Sequence, residues 1–253
     1  MSDLPEFDFE NYNARDPWHF PPQRLVRFAF EARMIFARSR DKWIRIKPYP
    51  DARFLIFHQL AGDSYALGTF AMMLRERATD VEWWNAQPET TGNLDKMAIR
   101  ANHTSMRALL QFGFFHGVAK HLDHIFRQVL RNLDPEAREN GAVAFTRVRR
   151  TLFAQTGLEA YEGLITLILL IRDSMAHNGR FCPISRKDLK LNYDGRRYAF
   201  KNNEEIEAQE WGFVDTWDFL LYLLRETDQL LNELFQSPFV ALIPYIQARY
   251  LEK

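Results

Sequence analysis

The stretch EGLITLILLIRDSMAHNGR, residues 162–180, holds the longest apolar run of the chain and closes it with a cluster of polar groups. The apolar part, residues 164–171, is far shorter than the roughly 20 residues a membrane span needs, so it reads as a buried helix. Tyr161, Leu164, Ile165, Ile168, Leu169 and Met175 recur at helical spacing, which predicts a helix over residues 158–177 with these side chains inward. Asn178-Gly179 offers a natural end, because glycine takes the left-handed conformation without steric cost.

Downstream the texture changes. LKLNYDGRRYAFK, residues 189–201, alternates on a two-residue period around Asp194-Gly195, a strong hairpin signal. A final amphipathic helix follows: Phe213, Trp217, Leu220, Leu224, Leu231 and Leu234 step by fours and threes, apart from the polar Thr227.

Upstream, residues 1–22 form an acidic, proline-containing arm. Leu25, Phe28, Ala29, Ala32, Ile35 and Phe36 predict a helix over residues 23–40. A second helix is expected over residues 52–85, with interruptions at Gly62 or Gly68, and PETTGN, residues 88–93, reads as a loop. Residues 94–133 predict one long helix or two short ones broken at Gly113 or Gly117. Asp134-Pro135 opens another turn, and residues 143–155 read as a helix ending at Gly157. The fold class is thus mainly α: a helical bundle with a small β-hairpin at about 189–201. Residues 1–92 read as an N-terminal arm and helical extension, and residues 93–253 as the bundle.

Composition agrees with a globular chain. Of 253 residues, 47% are hydrophobic and 26% charged, which excludes a disordered protein; 11 Gly and 11 Pro exclude a collagen-like one. The acidic N-terminus has no apolar stretch of the signal-peptide kind, and Cys182 alone makes neither an intramolecular disulfide nor a cysteine zinc site. A soluble, cytoplasmic protein without a membrane partner is expected.

The chemistry concentrates at residues 172–180. Arg172 is a permanent cation with a fork of donors suited to phosphate. Histidine is the side chain whose unperturbed pKa lies near neutrality, so His177 is the residue type that gives or takes a proton. Asp173 and Ser174 add an acceptor and a hydroxyl. Arg172 and His177 are five residues apart, about 140° away from the same helix face of 3.6 residues per turn around an axis of about 100° per residue. They share a face only if the helix ends or tightens at His177.

Arg172, Asp173, three-residue spacing through Met175 and Ala176, then His177-Asn178 at the end of an apolar helix, resembles the R-x4-6-H motif of HEPN domains. The hairpin and closing helix extend the resemblance over roughly residues 95–236 by architecture. The resemblance implies a helical bundle that dimerises with two motifs facing each other, and in many members a metal-independent ribonuclease. It implies His177 as general acid/base, Arg172 holding the scissile phosphate, and Asp173 orienting either one. It further implies no cofactor and no metal, with RNA as partner and a homodimer as the assembly. Other members are non-catalytic dimerisation or binding modules, and here Asp173 stands where Asn is the more familiar residue.

Local charge points the same way. Residues 180–201 hold Arg180, Arg186, Lys187, Lys190, Arg196, Arg197 and Lys201 against Asp188 and Asp194 only. With Asn178 and Ser174, the residues Arg180, Arg186, Lys187, Arg196 and Arg197 are the expected substrate contacts. Tyr193, Tyr198 and Phe200 interleave with them and offer rings for stacking on bases. Further basic groups lie at residues 23–53 and at Arg147, Arg149 and Arg150. Neutrality, 33 basic against 33 acidic residues, is an average over segregated charge. His116, His121 and His124 share a helix with Asp123, but without a metal motif they read as solvated or interface residues. Met72-Met73 and Trp83-Trp84 read as core or interface, and Cys182 as a small buried hydrophobe.

Overall fold

The computed structural model describes residues 22–46, 51–77, 81–86, 96–133, 144–177 and 180–237. They form a mainly helical bundle with one two-stranded antiparallel sheet. The helices are α1 (Pro22–Ile46), α2 (Ala52–Arg77), α3 (Val81–Asn85), α4 (Lys96–Leu133), α5 (Phe145–Thr156), α6 (Glu162–Met175) and α7 (Thr216–Gln236). The strands are β1 (Leu189–Tyr193) and β2 (Arg196–Phe200).

α1 and α2 run antiparallel, since Gly68 meets Ala29 while Arg53 meets Trp43. α4 runs antiparallel to α2: His121 Nε2 lies 2.9 Å from Asp63 Oδ2, and Gln59 and Ile56 meet His124 and Gln128. α7 runs along α1, with Trp217 against Phe28 at one end and Phe235 against Trp43 at the other. The seam on α7 is buried throughout, and Thr227 fits it because its hydroxyl donates to Leu223 O at 2.7 Å. The Asp215 side chain caps α7 by accepting from Asp218 N at 2.8 Å.

The structure settles the helix boundaries left open by the sequence. α2 passes through Gly62 and Gly68 without a break and ends at Arg77, and residues 81–85 form a separate short helix. Helix α4 is continuous through Gly113 and Gly117. One hydrophobic core cluster includes residues of α1 and α2 together with those of the later helices. The acidic arm to residue 21, the loop at 88–93, Asp134-Pro135, Asn178-Gly179 and the tail from Pro238 lie outside the described residues.

The hairpin forms as its pattern predicts. Asp194 and Gly195 have φ of 50° and 68°, the double left-handed turn that matches strand twist. Its turn end lies at the start of α6, where Gly163 approaches Tyr193 so closely that a Cβ would stand 2.9 Å from it. Its open end lies at the other end of α6, where Phe200 packs on Phe181 with ring centroids 5.4 Å apart. The hairpin therefore lies along α6, with residues 186–190 at the same end as the Arg172–His177 segment.

Candidate functional site

α6 is buried by Leu164, Ile165, Leu167, Ile168, Ile171 and Met175, so its polar end is held on a rigid support. The helix ends at Met175, and the next turn tightens: His177 N donates to Ser174 O at 2.9 Å, an i to i−3 bond. Arg172 therefore lies in the last turn of α6 and His177 just beyond its end. His177 is exposed, and its ring has no hydrogen-bond partner among the described residues. Arg172 donates from Nε and Nη2 to Asp173 Oδ1 at 2.8 and 2.6 Å. The side chains are 27% and 61% exposed. A guanidinium has five N–H donors, so this clamp leaves the Nη1 end for an anion.

The structure separates the other expected contacts into two groups. Ser174 is turned inward: it is 1% exposed and its hydroxyl donates to Leu170 O at 2.8 Å, so it does not face a substrate. Arg196 is also drawn in. Its guanidinium lies 4.4 Å from the Phe213 ring centroid and 5.3 Å from that of Tyr222. Arg180 is exposed but engaged, donating to Asn203 O and Glu205 Oε1, both at 3.0 Å. Arg186, Lys187 and Arg197 are exposed and unpaired among the described residues. Asn178 lies outside the described residues.

The pairing register explains this division. Side chains alternate across a strand. Leu189, Leu191, Tyr193, Arg196, Tyr198 and Phe200 share the face toward α6 and α7, and Lys190, Asn192, Arg197 and Ala199 share the outer face. The three hairpin aromatics are buried, so they do not stack on bases; that expectation is corrected. Tyr193 donates to Glu226 Oε2 at 2.7 Å, and Tyr222 to Asp194 Oδ2 at 3.1 Å. Burial and these carboxylates push both phenols well above the ordinary tyrosine range. Lys190, absent from the expected contacts, belongs with Arg197 on the outer face, and the two-residue period was the signal that pairs them.

Four other basic residues pair with nearby acids. Arg149 is buried and pairs with Glu162 at 2.9 Å, so it leaves the group with Arg147 and Arg150. Burial lowers its pKa from the ordinary arginine value, with Glu162 opposing. In α1, Arg27 pairs with Glu31 at 2.9 Å and Arg40 with Asp41 at 2.8 Å. Arg53 is 2% exposed and pairs with Asp51 at 2.6 Å.

Asp123 binds Arg127 at 2.7 Å, and His124 lies 2.9 Å from Gln128. Burial, followed by the His121 charge, lowers the His124 pKa. No group of three or more His, Cys, Asp or Glu suited to a metal occurs among the described residues. Among the same residues no helix is long and apolar enough to cross a membrane. Cys182 is exposed, not buried. Met72 and Met73 are 39% and 55% exposed, which removes them from the core. No family model, curated protein or solved structure matches the chain.

Proposed function

We propose that the chain is a metal-independent endoribonuclease of the HEPN type, acting as a homodimer in the cytoplasm in RNA processing, defence or toxin-like control. The observation that carries this reading is the end of α6. The helix stops and tightens there, leaving an exposed imidazole five residues after an arginine clamped by its neighbouring aspartate.

In this reading His177 takes the proton of the RNA 2′-hydroxyl, whose oxygen attacks the adjacent phosphorus. The 5′-oxygen leaves and accepts a proton from the second copy of His177. The bond formed gives a 2′,3′-cyclic phosphate, and the bond broken gives a 5′-hydroxyl. The free donors of Arg172 stabilise charge on the phosphate as it develops. Asp173 holds Arg172 in place and is a positioning residue.

A second reading, a non-catalytic HEPN-like dimerisation or binding module, is favoured by one observation: Arg172 already has its carboxylate within its own chain. RNA incubated with the protein in EDTA separates the two. The catalytic reading expects cleavage that Arg172→Ala and His177→Ala abolish with dimerisation intact. Absence of cleavage, dependence on a divalent metal, or full activity in both variants would overturn it.

A further inference from the structure

The geometry points to the outer face of the hairpin and its open end as a binding track for the phosphodiester backbone of single-stranded RNA, read without base stacking. Choosing RNA rests on the ribonuclease reading above.

The outer face carries Lys190 and Arg197. With Lys190 opposite Ala199 and Asn192 opposite Arg197, the two cations are diagonal neighbours, about 7–8 Å apart along the backbone. Arg186 and Lys187 extend this charge to the open end, which shares an end of α6 with Arg172 and His177. All four are exposed, and none pairs with an acid among the described residues. Two acids of this region have other partners: Asp188 accepts from Asn202 N at 2.9 Å, and Glu204 pairs with Lys201 at 3.3 Å.

A second observation comes from the backbone. Arg186 has φ of 53°, a left-handed conformation that glycine, asparagine and aspartate adopt far more readily than arginine. The other non-glycine residues with positive φ among the described residues are Asp194 and Asn203, which suit it. Arginine stands where a smaller residue fits the backbone better, and its side chain is exposed next to Lys187 in the chain.

Because Tyr193, Tyr198 and Phe200 are buried on the opposite face, bases have no aromatic platform in the hairpin. Recognition through phosphates alone is indifferent to base identity and to the 2′-hydroxyl, which matters only for cleavage. It is also strongly salt-dependent: four neutralised phosphates give a slope of about −3 in log affinity against log salt on a single strand.

The test measures binding of labelled oligouridylate, oligoadenylate and oligothymidylate strands of equal length across a salt series. The proteins are wild type, K187E/K190E/R197E, R186G and H177A. The expected result is similar affinity for all three strands, and at least about a tenfold loss in the triple variant with a slope shallower by about 2. R186G is expected to bind more weakly while melting no lower than wild type, which a structural role of the arginine would not produce. H177A is expected to bind as wild type. Unchanged affinity in the triple variant, strong preference for one base, or failure to bind the deoxy strand overturns the track. So does binding to phosphatidylserine vesicles in place of RNA. If the track holds but no RNA is cleaved, the ribonuclease reading fails alone; if cleavage is normal in the triple variant, the track fails alone.

Discussion

Two arginine–aspartate pairs, Arg53 with Asp51 and Arg172 with Asp173, have close sequence spacing and opposite character. Asp51 and Arg53 sit at the start of α2, 4% and 2% exposed, with Nε to Oδ1 at 2.8 Å and Nη2 to Oδ2 at 2.6 Å. Asp51 also accepts from Arg53 N at 2.9 Å, and Trp43 lies 5.4 Å from the guanidinium. Arg172 and Asp173 sit at the end of α6, both reached by solvent, with a single carboxylate oxygen taking both bonds. The same two residue types make a desolvated lock in one place and an accessible cation in the other. Burial, not pairing, distinguishes the two arginines.

The largest expected effect breaks the lock. Arg53→Ala leaves Asp51 buried without its cation, and a loss of about 3–5 kcal/mol is expected in denaturant unfolding. Gly163→Ala tests the support under the exposed pair. Its Cβ would stand 2.9 Å from the Tyr193 ring, so the hairpin must shift along α6, and about 1–3 kcal/mol is expected to be lost.

Asp228 sharpens the comparison from α7, as a half-buried acid that feels the charge of the exposed Lys42. Burial raises its carboxyl to about 6, while the Ser39 hydrogen bond and the Lys42 charge pull the other way. In the unfolded chain the value is about 3.9, so the native state binds the extra proton between the two. Stability from this group is present at low pH, falls as pH rises through about 6, and is flat above. Asp228→Asn is expected to remove that slope from a pH series of melting curves. The smallest effect is at the exposed pair: Arg172→Ala or Asp173→Ala is expected to cost about 0–1 kcal/mol.

Why the two pairs were not equally legible follows from what periodicity encodes. The α6 and α7 seams and the Asp-Gly hairpin were readable because each buries a face at a fixed period. The continuity of α2 was not, because a glycine inside a helix costs only about 1 kcal/mol relative to alanine, which the burial of the helix's apolar residues offsets. Asp51 and Arg53 looked like members of a basic surface stretch; tertiary packing, in which the Trp43 ring lies 5.4 Å from the Arg53 guanidinium, buries them. At the end of α6, type and spacing in the sequence single out Arg172, Asp173 and His177, and the structure leaves Asp173 and His177 exposed and Arg172 half-buried. Ser174 and Arg196 were misassigned because charge and hydroxyl content do not tell which way a side chain turns. For Arg196 the strand period holds that information.

The central claim is that the exposed end of α6 performs chemistry and does not hold the fold. The most direct measurement takes His177→Ala and follows melting temperature and RNA cleavage in EDTA on the same preparation. The account predicts an unchanged melting temperature, 2′,3′-cyclic phosphate ends from the wild type, and a loss of rate of about 10²–10⁴-fold in the variant. Equal cleavage by the two proteins, or no cleavage by either, would contradict it.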